Sequence, residues 1–234
     1  DQATIWIKKP LAVCAKDSAD GVVIRGQRIV ELVGSGKTPE SAIDEIYDAR
    51  DSVVLPGLIN THHHFYQTLS RAYPEALNKE LFPWLKSLYK VWAHIQPEML
   101  SVATELALSE LLLSGCTTAS DHHYLFPSQL ENAIDIQVEQ AQKLGMRVLL
   151  TRGSMSLGES DGGLPPQSVV QSDDEILIDS ERVIKTYHDS AEGAMTQIAL
   201  APCSPFSVTT ELMKDTAKLA EQYDVRLHTH LAET

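Results

Sequence analysis

"LPGLINTHHHFYQTLSRA" (Leu55–Ala72) decides how the chain is read, because a short apolar run ends there in three consecutive histidines. Side chains alternate along a strand, so His62 and His64 point to one side and His63 to the other. Adjacent imidazoles are costly to bury unless something binds them. An HxH pair at a strand end can hold one metal ion through two neutral imidazoles, although such pairs also occur as exposed or satisfied histidines.

Upstream of this stretch, "TIWIKKPLAVC" (4–14) and "GVVIRGQRIVELVG" (21–34) are short β-branched runs broken by Pro10, Gly21, Gly26 and Gly34. They predict small antiparallel strands joined by turns. "SGKTPESAIDEIYDARD" (35–51) reads as a polar connector. Residues 1–54 are therefore set apart from residues 55–234.

Downstream the pattern alternates. Strands are predicted at 57–60, 117–120, 146–151, 196–201 and 225–230. Between them Pro97 opens a Leu-rich helix that Gly115 stops. Ser128 with Glu131 has the spacing of a capping box, ahead of a stripe of Leu130, Ile134, Val138, Ala141 and Leu144 closed by Gly145. Two further stripes run through Ile176, Val183 and Ile184, and through Leu212, Thr216 and Leu219. Such βα repeats imply a parallel sheet covered by helices, as a doubly wound sheet or a (β/α)₈ barrel. No glycine-rich phosphate loop follows the first strand, which weakens the nucleotide-fold option. In a barrel the functional residues sit at the C-terminal ends of strands, where the unusual residues of this chain lie.

Bulk composition narrows the partners. With 19 basic and 32 acidic residues the net charge is −13, which disfavours a nucleic-acid backbone or an anionic membrane but admits a small neutral nucleobase. Cys14, Cys116 and Cys203 form no CxxC pair, so a disulfide framework or thiolate zinc site is not expected and a cytoplasmic location is. No run approaches the roughly 20 apolar residues of a membrane-spanning helix.

"VRLHTHLAET" (225–234) carries a second HxH at the end of the fifth predicted strand, with His228 and His230 on one face and Glu233 three residues on. Three imidazoles from two strands, with a position left open for water, is what a catalytic Zn²⁺ wants. Such a metal brings the pKa of its water to about 7, and a neighbouring carboxylate can move protons.

"PGLINTHHHFYQ" and "LHTHLAET" resemble the first- and fifth-strand signatures of the amidohydrolase superfamily, in its aminohydrolase and chlorohydrolase branch. The resemblance implies a (β/α)₈ TIM-type barrel, about five of whose eight strands lie in this chain, with 1–54 as the N-terminal part of a small β-sandwich. It implies His62, His64 and His230 as metal ligands and Glu233 as the proton-shuttling acid, around one divalent metal, Zn²⁺ first and iron or manganese as alternatives. A strand-six histidine and a strand-eight aspartate would fall beyond Thr234, so the chain is expected to be a piece of a longer barrel. "APCSPF" has no lysine at the end of strand four, which favours a single metal.

Within that branch, "ELFPWLKSLYKVWAHI", "SGCTTASDHHY", "RGSMSLGESDGGLPP" and "APCSPFS" are most similar to the 8-oxoguanine deaminase group. That implies hydrolytic loss of an amino group from an oxidised purine, giving urate and ammonia. Guanine, isoxanthopterin, s-triazine, cytosine and methylthioadenosine are the alternative substrates, and a noncatalytic metal-binding relative is the rival class. Gln67, Cys203 and Arg152 are the expected substrate contacts, in a homo-oligomer acting on a small nucleobase. Trp84 and Trp92 could wall the pocket or pack in the core, and His122 and His123 are expected at the surface or in a supporting role, with a pocket role as the alternative.

Overall fold

A computed structural model describes residues 2–233. It divides into two compact units, one ending at Gly57 and one beginning at Leu58. The first holds β1 (Thr4–Lys8), β2 (Ala12–Val13), β3 (Gly21–Arg25), β4 (Arg28–Val33), β5 (Glu45–Asp48) and β6 (Val53–Val54). Four of these form a sheet in the order β4-β3-β1-β5, and β2 pairs with β6. The β3–β4 hairpin turns through Gly26 and Gln27, with Gly26 at φ 56, a conformation that glycine adopts without steric cost. Trp6, Val23 and Val33 are its buried centre.

Two expectations for this unit need correction. The strands are not all antiparallel, because β1 pairs with β5 in parallel and so does β2 with β6. Strand β5 lies inside the stretch read as a polar connector. All four of its side chains are exposed, so burial writes no alternating apolar signal into its sequence.

The second unit alternates strand and helix: β7 (Leu58–Asn60), α1 (Leu81–Trp92), α2 (Pro97–Leu113), β8 (Cys116–His123), α3 (Ala133–Leu144), β9 (Arg147–Ser154), α4 (Asp173–Tyr187), β10 (Thr196–Pro202) and α5 (Thr210–Gln222). The sheet runs β7-β8-β9-β10, every pair parallel. The apolar faces of the helices close over it, with Leu100, Leu108, Leu130, Ile134, Leu150 and Ile198 fully buried. Such successive βα units are those of a (β/α)₈ barrel.

The fifth predicted strand is reduced to a parallel bridge between Leu200 and Leu227. The segment nevertheless runs along β10. Leu200 N–H donates to the Arg226 carbonyl, His228 N–H to that of Leu200, and His230 N–H to that of Cys203. Strand β8 is longer than predicted and carries His122 and His123 into the core, both fully buried rather than at the surface. The Ser128–Glu131 capping box does not form. Ser128–Leu130 is a separate turn of 3₁₀ helix, and α3 starts at Ala133 after Asn132, without a side-chain cap. A reciprocal box forms instead at α4, where Ser172 caps Glu175 N–H and the Glu175 carboxylate returns to Ser172 N–H.

Candidate active site

The site is assembled where β7, β8 and β10 end. Asn60 closes β7, and its side-chain oxygen accepts the His62 N–H at 3.0 Å. The neighbouring strand supports the histidine run directly, as His122 N–H donates to the His63 carbonyl at 2.7 Å. A 3₁₀ turn, Phe65–Ser70, then carries Gln67 back over the sheet.

Three imidazoles converge. The His62 and His64 Nε2 atoms are 3.2 Å apart, and His230 Nε2 lies 3.3 Å from each. The other ring nitrogens show what these atoms present. His64 Nδ1–H donates to the His122 carbonyl at 2.7 Å, and His230 Nδ1–H donates to the Cys203 carbonyl at 2.6 Å. Both Nε2 atoms are therefore bare lone pairs. His62 Nδ1 faces His228 Nε2 at 3.0 Å, so donation from His62 makes its Nε2 a third. Three lone pairs aimed at one another repel unless a cation lies between them. For Zn–N bonds of 2.0–2.1 Å, a tetrahedral site has ligand–ligand edges of roughly 3.3 Å. The triangle matches one face of that tetrahedron.

Electrostatics agree with that donor set. Burial, with smaller contributions from neighbouring imidazoles, pushes the pKa of His62 down to about 4. Burial also pushes His64 down to about 3, against the pull of its hydrogen bond to His122. Both rings are held neutral at physiological pH, the form a metal requires. His62, His122 and His230 also offer donor atoms within 4.8 Å of one another. The His122 ring, however, stacks face to face on His230, with centroids 4.3 Å apart and planes 8° apart. It is a wall behind that imidazole rather than a partner across from it.

A small cavity of about 100 Å³ opens beside the triangle, lined by His64, Gln67, Tyr124, Cys203, His230 and Glu233 among others. Glu233 thus shares a cavity with two of the three imidazoles. Cys203 is buried at its base, 4.0 Å from His230 Nδ1, and burial pushes its thiol up to about 12, so it stays protonated. Gln67 donates its amide N–H to the Tyr66 hydroxyl at 3.3 Å, which leaves Oε1 free. Trp84 lines this cavity and a wider groove of about 400 Å³, which also touches His63 and Arg71. Trp92 is core, with Nε1–H donated to the Ser70 hydroxyl.

Arg152 is the expectation that fails. Its guanidinium is fully buried away from the cavity, donating to Asp179 at 2.7 Å and to Gln171 at 2.7 Å, and it lies 3.7 Å over the Phe126 ring. Each of its three nitrogens already donates, the third to the Gly153 carbonyl, and Arg152 does not line the cavity. Sequence reasoning in turn missed His228 as the partner of His62, Tyr89, Tyr124 and Ser207 as cavity wall, and Asp121 beneath the histidine run. The run "SDHHY" was the available signal, but burial and not residue type decides its role.

The sequence profile described as "Amidohydrolase family" matches residues 53–234. The chain belongs to the amidohydrolase family. Among curated amidohydrolase-like relatives, it is 61% identical over 232 residues to an 8-oxoguanine deaminase of Pseudomonas aeruginosa, an alignment that covers 98% of this chain and 52% of that one. It is 35% identical over 192 residues to a hydroxydechloroatrazine ethylaminohydrolase of a Pseudomonas species, covering 81% and 40%. Among solved structures, an atrazine chlorohydrolase of Arthrobacter aurescens complexed with zinc superposes with a TM-score of 0.88 at 31% identity, covering 98% of this chain and 53% of that one. The chain spans about half the length of the curated relatives it matches. This kinship gives the four-stranded parallel sheet and its helices their place in a TIM-type barrel.

Proposed function

We propose that the protein is a metal-dependent hydrolytic deaminase of an oxidised purine, converting 8-oxoguanine and water to urate and ammonia. The triangle of bare Nε2 atoms on His62, His64 and His230, beside a cavity that Gln67, Cys203 and Glu233 also line, carries this reading. The 61% identical relative supplies the substrate class. One divalent ion fits the three imidazoles, and zinc is favoured because a structural relative was solved with it. Iron and manganese accept the same donors.

When bound, the metal lowers the pKa of water to about 7 and so provides a nucleophile at neutral pH. The protein's own groups handle the rest. Glu233, which lines the same cavity as His64, takes the proton that water gives up and delivers it to the ring nitrogen next to C2. Addition of the oxygen to C2 breaks the C2=N π bond, whose electron pair takes the proton on the ring nitrogen. The tetrahedral carbon then expels the amino group as ammonia, which carries off the remaining proton as the C2=O bond forms. Gln67 Oε1 accepts a ring N–H of the base, and the neutral Cys203 thiol presents a weak donor to it.

A second reading has its own support. The groove of about 400 Å³ continues past Gln67 and Trp84, which would suit a ring bearing side groups, such as an s-triazine. Ammonia release by the full-length, zinc-loaded protein, compared on 8-oxoguanine, guanine, isoxanthopterin, cytosine, methylthioadenosine and an amino-substituted s-triazine, separates the readings. A clear preference for 8-oxoguanine is expected. Preference for another ring leaves the metal chemistry standing and sinks the substrate. No ammonia from any ring shifts the weight to chlorohydrolase-type substrates.

A further inference from the structure

Asp121 is a carboxyl group without solvent exposure, one residue before His122 on β8. Its Oδ1 accepts the Phe65 N–H at 2.6 Å, and its Oδ2 accepts an N–H of Gln137, from α3, at 2.6 Å. Both donors are neutral, and burial pushes the carboxyl up to about 7 despite them. Keeping such a group in the core is costly, and the deamination chemistry does not touch it.

Its position relative to His64 explains what it does. The peptide joining His64 to Phe65 is held at both ends, by the His64 carbonyl accepting Gln67 N–H at 3.0 Å and by Phe65 N–H on Asp121. The next residue on the same strand, His122, holds the His64 ring through its own carbonyl at 2.7 Å. Two consecutive residues of β8 therefore fix the main chain and the side chain of one imidazole. Phe65 also opens the 3₁₀ turn that carries Gln67, and the first N–H groups of such a turn have no partner within it.

We propose that Asp121, steadied by Gln137, is a positioning residue that aims the His64 imidazole at the metal and the Gln67 amide at the substrate through the peptide between His64 and Phe65. The inference rests on the metal-site reading above. Asparagine should substitute well. Its oxygen can keep the Phe65 N–H, and its amide can donate to Gln137 Oε1, which is buried without a partner in the structure. Leucine cannot replace either bond, and serine is too short to reach Phe65 but leaves room for water.

The test uses the full chain with Co²⁺ as probe, reading affinity by chelator competition, the visible Co²⁺ absorption, and the thermal midpoint without metal. Asp121→Ser and Asp121→Leu are expected to lose 10- to 100-fold in Co²⁺ affinity with a changed absorption band, while Asp121→Asn stays within a few-fold of wild type. If Asp121→Leu does not fold, the serine variant decides. A lowered midpoint with unchanged affinity and band overturns the proposal, since Asp121 then serves only the fold. So does an asparagine variant as weak as the serine one. A wild-type chain that binds no Co²⁺ is a different failure, and it sinks the metal reading together with this inference.

Discussion

His123 lies in the core with Nε2–H donated to the Leu125 carbonyl at 2.7 Å, and its Nδ1 is buried without a partner. Burial pushes its pKa down to about 4, against the hydrogen bond to Leu125. The unfolded chain takes up this proton as pH falls through about 6.5, whereas the folded one resists to about 4. The contribution to stability is therefore complete above pH 6.5 and lost between 6.5 and 4, up to about 3 kcal/mol in all. His123→Gln keeps a donor for Leu125 and cannot titrate. Urea unfolding without metal at pH 7.5 and pH 4.5 should show the wild type losing more stability than the variant, and equal losses would refute the assignment. Glu233 answers to a different readout. Glu233→Gln should lower kcat by about 10²- to 10⁴-fold with little change in metal affinity, measured by ammonia release and chelator competition. At this scale the three converging histidines were legible, because HxH at a strand end is a pattern. Arg152 was not, because nothing in "LLTRGS" (149–154) says whether a guanidinium faces a cavity or a helix.

Packing between elements shows what sequence patterns convey and what they omit. Strands β8 and β9 approach closely at Gly153, where an added Cβ would meet the His123 carbonyl oxygen at 2.1 Å. Gly153→Ala should cost at least about 2 kcal/mol in urea unfolding, since backbone on both sides must move. Gly145, past the end of α3, has φ 67 and open space around it, so alanine there should cost only about 1 kcal/mol. Arg152 ties β9 to α4 through Asp179, and removing the buried guanidinium leaves that carboxylate with Arg182 alone. Arg152→Leu should lose about 2–4 kcal/mol of stability and leave KM for the base unchanged; a raised KM at full stability would restore its expected role at the substrate. The helices were legible because each buries one stripe against a sheet. The capping box at Ser128 was misplaced because its spacing is local, whereas the start of α3 is set by how Leu130 and Ala133 bury. The correct box, in "SDDE" (172–175), had the same spacing and went unread.

Over the whole molecule, binding of a metal would register in stability as well as in chemistry. The Nε2 triangle draws on both ends of the second unit, His62 and His64 beside β7 and His230 beyond α5. An ion held by all three binds the folded chain and finds no such triangle in the unfolded one. Stability then rises as RT ln(1 + [metal]/Kd), about 2.7 kcal/mol at a free concentration 100 times Kd. For a chain of this size that is roughly 5–10 °C in thermal midpoint. Scanning calorimetry with added zinc, and again after chelation, should show that difference, and the midpoint should climb with zinc concentration. His230→Ala should remove the dependence, leaving a midpoint near that of the chelated wild type. A midpoint indifferent to zinc and to chelator would leave three converging lone pairs without a counter-ion, and the rings would then have to be held by a proton on one of the Nε2 atoms instead.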